Sequence, residues 1–138
     1  MKRTVLVIII VLLAVAVIGG YAVLDRIFPV AKPISSPAIE SVATITLIEK
    51  GGSSLAVDAA DFGEILKNIA EAKPTRAMSV NDYPAVKTYY TIEVVTVARR
   101  YRYFVYAESE QVYIELPYEG VYKSNRQFLD YIAEYLGD

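Results

Sequence analysis

The chain has 138 residues, which is enough for about one domain. It contains neither cysteine nor histidine, so disulfides, thiol nucleophiles, imidazole bases and thiolate or imidazole metal sites are excluded. Its 14 basic and 16 acidic side chains give a net charge of −2, which is the wrong sign for a nucleic-acid-binding surface. We therefore predict no cofactor, no metal and no nucleic-acid partner.

The N-terminal part of the sequence contains a long apolar run. Residues 5–24 are uncharged and, as a helix rising about 1.5 Å per residue, extend roughly 30 Å, the thickness of a bilayer's hydrocarbon core. Lys2 and Arg3 precede the run, and the two charges that follow it cancel, so the N-terminus is expected in the cytoplasm. We predict that residues 1–24 are a single-pass signal-anchor, with the membrane as partner and the remaining chain extracytoplasmic.

A cleaved secretory signal is the competing interpretation of this run. Gly20-Tyr21-Ala22 has the small-x-small pattern of a cleavage site, and cleavage near Ala22 would give a secreted protein. The anchor is favoured because the apolar run is longer than the roughly 7 to 15 residues usual for a signal. Both interpretations export the same C-terminal domain.

The segment after the apolar run has a different composition. Prolines recur at Pro29, Pro33 and Pro37, and proline favours extended geometry at its own position and at the preceding one. This pattern predicts a semi-rigid linker over residues 25–37 and an extracytoplasmic domain over residues 38–138. The domain has 15 acidic and 10 basic side chains, a net charge of −5, so its net charge does not attract it to an anionic membrane.

The first part of the domain predicts two strands and a helix. Apolar residues at even spacing over 39–47 indicate a strand, and residues 55–57 can return as its hairpin partner after a glycine-rich turn. Apolar residues then recur at i, i+3, i+4 and i+7 over 62–69, which predicts an amphipathic helix with Asp58 placed to cap it.

The second part of the domain predicts three strands and a second helix. Three β-rich runs, residues 88–97, 101–106 and 111–116, favour an antiparallel meander. Ser124 and Gln127 then resemble a capping box that opens a last helix. The order ββαβββα is typical of an α+β fold, here an antiparallel sheet of about five strands with two helices on one face.

The clearest inward-facing set in the predicted sheet is Val112, Ile114 and Leu116. Pairing Tyr106 with Val112 and Phe104 with Ile114 places the odd-numbered residues of both strands toward solvent. The predicted outward set is Tyr101, Tyr103, Val105, Tyr113 and Glu115. A shift of one residue would exchange the two faces.

Tyrosine is unusually frequent, with 12 in the chain against four phenylalanines and no tryptophan. An outward row of Tyr101, Tyr103 and Tyr113, bordered by Arg99 and Arg100, would offer rigid contact area together with hydroxyl groups. These residues form the candidate binding surface. The structural alternative is that tyrosines are present because they stabilise strands and cross-strand pairs.

Catalysis without histidine or cysteine would have to use carboxylates. Glu93 and Glu115 are the outward pair in the predicted sheet, but at about 4.8 Å per strand their Cβ atoms lie roughly 12 Å apart. Paired catalytic carboxyls need about 5 to 9.5 Å. We therefore predict that the protein is not an enzyme and has no catalytic residues.

Two segments resemble a known family. They are Ser79-Val80-Asn81-Asp82-Tyr83-Pro84 and Ile114-Glu115-Leu116-Pro117-Tyr118-Glu119-Gly120-Val121-Tyr122. Together they resemble an uncharacterised domain family of small membrane-anchored or secreted proteins of Gram-positive bacteria, over residues 38–136. The resemblance implies an exported α+β domain at the bacterial cell surface and no particular substrate. The two motif loops add Asn81, Asp82 and Tyr118 to the candidate binding surface.

The leading functional hypothesis is a membrane-tethered extracytoplasmic binding or interaction module without enzymatic activity. Its partner would be an envelope protein or peptide. An anchored inhibitor or immunity-type protein that blocks a partner enzyme is the alternative, and a carboxylate-dependent hydrolase is the third hypothesis.

Overall fold

The computed structural model describes residues 2–137, so Met1 and Asp138, the outer ends of the predicted ranges, lie outside the described residues. The chain forms two compact units, one ending at Val30 and one beginning at Ala31.

The first unit is a single helix, α1, Lys2–Ile27. Within Arg3–Ile27 a stretch of 18 residues has a mean hydropathy of 3.0, and the helix is long and apolar enough to cross a membrane. The apolar run predicted from the sequence lies within it. A helix is the structure expected for such a segment, because it satisfies its own backbone hydrogen bonds without water.

The second unit is an α+β domain built on one antiparallel sheet, as predicted. The elements are β1 Val42–Glu49, β2 Ser54–Ala56, α2 Phe62–Ala70, β3 Lys73–Pro74, β4 Tyr90–Thr96, β5 Arg100–Glu108, β6 Gln111–Leu116, β7 Gly120–Ser124 and α3 Arg126–Leu136. The strand order in the sheet is β2-β1-β4-β5-β6-β7-β3. The prediction of about five strands is wrong, because the sheet has seven.

The two missed strands, β3 and β7, pair with each other. Lys73 lies opposite Lys123, and Pro74 opposite Tyr122. β3 has only two residues and contains a proline, which is tolerated because β3 is the edge strand and its outer side needs no donor. Neither strand is long enough to show a clear alternation in the sequence.

The predicted pairing of β5 with β6 is wrong by one residue. Phe104 lies opposite Glu115 and Val105 opposite Ile114, so the odd-numbered residues of β5 share a face with the even-numbered residues of β6. The inward set of β6 is correct, since Val112, Ile114 and Leu116 are all buried in the core. Tyr103 and Val105, predicted outward, therefore face the core.

The β5–β6 turn is the physical reason for this register. Ser109 and Glu110 have φ of 49° and 68° and connect the directly paired Glu108 and Gln111. Two successive residues with positive φ are typical of the tight type I′ turn, whose twist matches that of a hairpin. The predicted pairing required a loop of three residues, Glu108-Ser109-Glu110, instead of two. The sequence of this turn is compatible with either loop length.

The two helices contribute to one core on a single face of the sheet. Their buried residues are Phe62, Ile65, Leu66, Ile69, Phe128, Leu129 and Ile132. Asp58 caps the short 3-10 turn Ala59–Asp61 that precedes α2, rather than α2 itself. The cap of α3 is Asn125 and not Ser124, because the Asn125 side chain accepts a hydrogen bond from the amide of Phe128 at 2.8 Å.

The loop between β3 and β4 packs on residues of the other face of the sheet. Ser79 and Pro84 are buried within it. The rings of Tyr83 and Tyr89 contact Phe104, with centroid separations of 5.7 Å and 5.3 Å. The sheet therefore carries buried residues on both faces.

Part of the predicted linker belongs to the domain. The amide of Ala31 donates to the carbonyl of Thr75 at 3.0 Å, and the Tyr122 hydroxyl donates to the carbonyl of Lys32 at 2.8 Å. Ile34 is only 7% exposed and lies in the core. The compact unit accordingly begins at Ala31 rather than at residue 38.

Candidate functional site

The two segments that carry the family resemblance are hydrogen-bonded to each other. Ser79 Oγ donates to Glu115 Oε1 at 2.7 Å, and the Tyr118 hydroxyl donates to Asp82 Oδ1 at 2.8 Å. The second Glu115 oxygen accepts from the Tyr106 hydroxyl at 3.0 Å. Both oxygens of this buried carboxylate thus have donors, which offsets the cost of removing its charge from water.

Burial and the adjacent Glu115 carboxylate raise the pKa of Tyr106 above its ordinary value. The phenol therefore stays protonated and continues to donate to Glu115 through the neutral range. This cluster attaches the central loop to the sheet.

Tyr118 has an unusual backbone conformation. The amide of Glu119 donates to the carbonyl of Leu116 at 3.1 Å, which closes a turn with Pro117 and Tyr118 at its centre. The φ of Tyr118 is 62°, in a position where such turns usually have glycine. An aromatic residue in this conformation is strained, and its hydroxyl is the group that binds Asp82.

The predicted row of three outward tyrosines does not exist. Tyr101 and Tyr103 lie on the core face with their rings stacked at a centroid separation of 6.4 Å, and Tyr103 is 1% exposed. Tyr113 lies on the opposite face, where its ring contacts that of Tyr106 at 5.8 Å. The one-residue change of register separates the three residues.

The two predicted arginines also have different surroundings. The guanidinium carbon of Arg99 lies 4.2 Å from the centroid of the Tyr101 ring, within cation–π distance. Arg100 Nη1 lies 3.4 Å from Glu93 Oε2, and Arg102 approaches the same oxygen at 3.8 Å. Asp82 and Tyr118 are joined by their hydrogen bond, and Arg99, Tyr101 and Tyr103 lie together in another part of the domain.

These three residues line a cavity of about 410 Å³. Its walls come from three parts of the domain: the segment before β1, the start of β5, and the β6–β7 turn with its flanking strands. The lining residues are Lys32, Pro33, Ser35, Arg99, Tyr101, Tyr103, Leu116, Glu119 and Tyr122. The volume is within the range of about 300 to 1,000 Å³ usual for small-ligand sites.

Tyr103 is the most informative of the residues that line this cavity. Among the described residues, three buried side-chain oxygens have no hydrogen-bond partner, the hydroxyls of Tyr103, Ser124 and Tyr131. Of these three, Tyr103 lines the cavity. Burial raises the pKa of Tyr103 above its ordinary value, so the hydroxyl is a protonated donor at neutral pH. Buried hydroxyls usually have a partner, so this group is an exception among the described residues.

The cavity combines charges of both signs. Lys32 and Arg99 are basic and Glu119 is acidic. None of these three side chains forms an ion pair with any charged side chain of residues 2–137. The cavity can therefore offer charged groups to a ligand without first breaking a salt bridge.

Comparison with known proteins places the chain in a family. A family model described as a domain of unknown function, DUF5301, matches residues 30–123. The chain belongs to the DUF5301 family. The match begins before residue 38, so it includes the segment that contributes Lys32 and Ser35 to the cavity. No curated protein matches the chain.

A solved structure is similar to the DUF5301 domain. It is the NMR structure of a protein from Ruminococcus gnavus, 30% identical to this chain, with a TM-score of 0.59. The alignment covers 70% of this chain and 97% of that protein.

A second cavity of the DUF5301 domain, of about 360 Å³, is a weaker candidate site. Its two basic residues already have partners. Lys50 Nζ donates to the carbonyl of Val86 at 3.0 Å, and Arg126 Nε lies 3.1 Å from Asp130 Oδ1. A charged ligand would have to compete with these contacts.

The two carboxylates considered for catalysis both have partners. Glu93 contacts two arginines, and both oxygens of Glu115 accept hydrogen bonds from side-chain hydroxyls. No group of three or more Asp or Glu side chains that could hold a metal ion occurs in the described part of the chain.

Several cavity residues were missed in the sequence. Lys32 and Ser35 lie in the segment that was predicted to be a linker because of its prolines. The order of apolar and polar residues in this segment does not indicate that it packs on the sheet. Glu119 and Tyr122 lie within the second of the two segments that carry the family resemblance. That resemblance was the only indication in the sequence that these two residues could belong to a site. Asn81 is exposed, and the structure places it in the central loop and outside the cavity lining.

Proposed function

We propose that the protein is a membrane-tethered extracytoplasmic binding module that takes a small polar ligand into the cavity beside Tyr103. The unpartnered Tyr103 hydroxyl is the observation that carries this proposal. A buried donor without an acceptor costs about 1 to 3 kcal/mol, and a ligand that supplies the acceptor would remove that cost.

The tether is supported by the apolar helix α1 and by the two basic residues at its N-terminal end. Protease treatment of intact cells tests this arrangement. We expect a full-length product, by intact mass, that stays in the membrane fraction and loses its C-terminal domain to external trypsin. A domain that resists trypsin until the cells are lysed would contradict the topology, and a product shortened near Ala22 would favour secretion.

Ligand capture is tested on the full-length protein in detergent micelles. The probe is a defined mixture of amino acids, N-acetylated dipeptides, monosaccharides and nucleosides, and binding is measured by saturation-transfer NMR. Ser35 is exposed at the cavity, so Ser35→Trp should fill the space and abolish binding. Ser53→Trp, in the β1–β2 turn, is the matched control. Absence of binding by every component, or binding unchanged by Ser35→Trp, would contradict the proposal.

An anchored inhibitor is the second candidate, favoured by a different observation. Met78, Val80, Tyr83 and Tyr118 are 66%, 65%, 56% and 67% exposed, although they belong to or adjoin the loop held by Ser79 and Asp82. Exposed apolar residues on a fixed loop are suited to a protein interface. Purification of the tagged full-length protein should then recover one enzyme in stoichiometric amount and inhibit it. Enzyme activity unchanged by the bound protein would contradict this candidate.

A further inference from the structure

We propose that the cavity beside Tyr103 recognises an α-carboxylate, as found at the C-terminus of a peptide or in a free amino acid. This inference rests on the proposed function, because it names the ligand class for the same cavity. It is carried by the charges of the lining, by its hydrogen-bond donors and by its apolar wall.

The charge of the lining matches a monoanion. Lys32 and Arg99 contribute two positive charges and Glu119 one negative charge, a net charge of +1. The surrounding domain has a net negative charge, so this positive cavity is a local exception. A carboxylate would neutralise the cavity, whereas a phosphate dianion would leave an excess negative charge next to Glu119.

The donors of the lining suit the two oxygens of a carboxylate. The guanidinium of Arg99, held against the Tyr101 ring, has a planar fork of N–H groups that matches carboxylate geometry. The Tyr103 hydroxyl is a separate donor that lacks an acceptor among the described residues. Its oxygen is closed to solvent, so a ligand would reach it by displacing the side chains that cover it. A hydrogen bond from this hydroxyl to a charged acceptor would be stronger than one to a neutral acceptor.

The remaining walls fit the atoms next to an α-carboxylate. Pro33 and Leu116 give an apolar surface for a small side chain. Glu119 can accept from the N–H group bonded to the α-carbon of a peptide's last residue, or from the ammonium group of an amino acid. The shared chemistry is therefore a carboxylate, a small side chain and an adjacent N–H donor.

The test compares three probes on the full-length protein in detergent micelles. They are N-acetyl-alanyl-alanine, the same peptide with a C-terminal amide, and free alanine. The dissociation constants are measured from chemical-shift changes of the backbone amides. We expect the peptide acid to bind at least tenfold more tightly than the amide. Tight binding of free alanine would identify an amino acid as the source of the carboxylate, and weak binding would identify a peptide.

Variants of the donors extend this test. Arg99→Gln and Tyr103→Phe should each weaken binding of the peptide acid by about tenfold. Lys87→Gln removes a positive charge from an exposed position outside the cavity, and Tyr131→Phe removes another unpartnered buried hydroxyl. Both control variants should bind the peptide acid as the wild type does.

Two results would overturn the inference. Equal binding of the acid and the amide, with both lost in Ser35→Trp, would reject the carboxylate and leave the cavity as a binding site. Failure of the acid and free alanine to bind would also reject the carboxylate, and binding of a sugar or nucleoside from the mixture would then still support the proposed function.

Discussion

At the scale of single residues, the two tyrosines that matter most are Tyr103 and Tyr118, and they contrast with each other. Tyr103 has a buried hydroxyl with no partner among the described residues, whereas Tyr118 is exposed and uses its hydroxyl to hold Asp82. Tyr103 is unusual because its buried hydroxyl lacks a hydrogen-bond partner, and Tyr118 is unusual because its backbone φ is positive.

The raised pKa of Tyr103 predicts loss of stability at alkaline pH. In the unfolded chain the phenol titrates near its ordinary pKa of about 10, whereas burial keeps it protonated in the folded chain. Above about pH 10 the unfolded state therefore loses a proton that the folded state keeps, so rising pH favours unfolding. The stabilisation is fully present below pH 10.

The measurement is the melting temperature of the full-length protein in detergent between pH 8 and 11.5. Tyr103→Phe removes this titration, so its melting temperature should fall less steeply above pH 10 than that of the wild type. Parallel curves for the two proteins would contradict the prediction.

The strained turn at Tyr118 predicts different stabilities for two substitutions. Tyr118→Phe keeps the positive φ and loses the hydrogen bond to Asp82, so it should lower the melting temperature of the domain slightly. Tyr118→Gly also loses the bond but removes strain of about 1 kcal/mol, so it should be at least as stable as Tyr118→Phe. Thermal unfolding in detergent ranks the variants, and a glycine variant clearly less stable than the phenylalanine variant would contradict the assignment of strain.

At the scale of elements, the cavity depends on the segment before β1. Residues 31–35 lie against β7 and supply three of the lining residues. An added Cβ at Gly120 would lie only 2.8 Å from the Ala31 Cβ, which shows how closely the segment approaches the β6–β7 turn. A segment that only connected two units would not approach the sheet in this way.

Two isoleucines in this part of the chain test whether it is packed. Ile34 is 7% exposed and Ile39 is 44% exposed. Ile34→Ala should destabilise the domain by about 2 to 4 kcal/mol, because it removes buried methyl groups and leaves a void. Ile39→Ala should cost much less. The difference is measured by thermal unfolding of the two full-length variants, and equal melting temperatures would indicate that Ile34 is not packed.

At the scale of the whole molecule, the chain joins an apolar helix to a DUF5301 domain. The two units have different environments in our proposal, since the large apolar side chains of α1 are exposed and those of the domain form a core. The helix is therefore the part expected to determine where the protein is found.

A charge within α1 tests this expectation. Leu12→Arg places a cation near the middle of the apolar segment, at a cost of about 2.5 to 3.5 kcal/mol for membrane insertion. The fraction of the protein that remains in carbonate-washed membranes should fall. Leu55→Arg, at an exposed position of the edge strand β2, should leave it unchanged. Equal retention of both variants would show that α1 does not anchor the protein.

The sequence by itself determined the apolar helix, the α+β class, the amphipathic face of α2, the presence of α3 and the inward set of β6. Each of these is a property of neighbouring residues, because helical and strand periodicities are visible within a few turns or alternations. The resemblance carried by the two motifs also correctly indicated a domain family of unknown function.

Only the tertiary structure decided the register of β5, the packing of residues 31–35 and the existence of the cavity. The register depends on positive φ at Ser109 and Glu110, which no apolar pattern encodes, and a shift of one residue moved Tyr103 from solvent to the core. The cavity joins positions 32, 99 and 119, and contacts between residues so far apart in the chain are set by strand pairing rather than by local sequence.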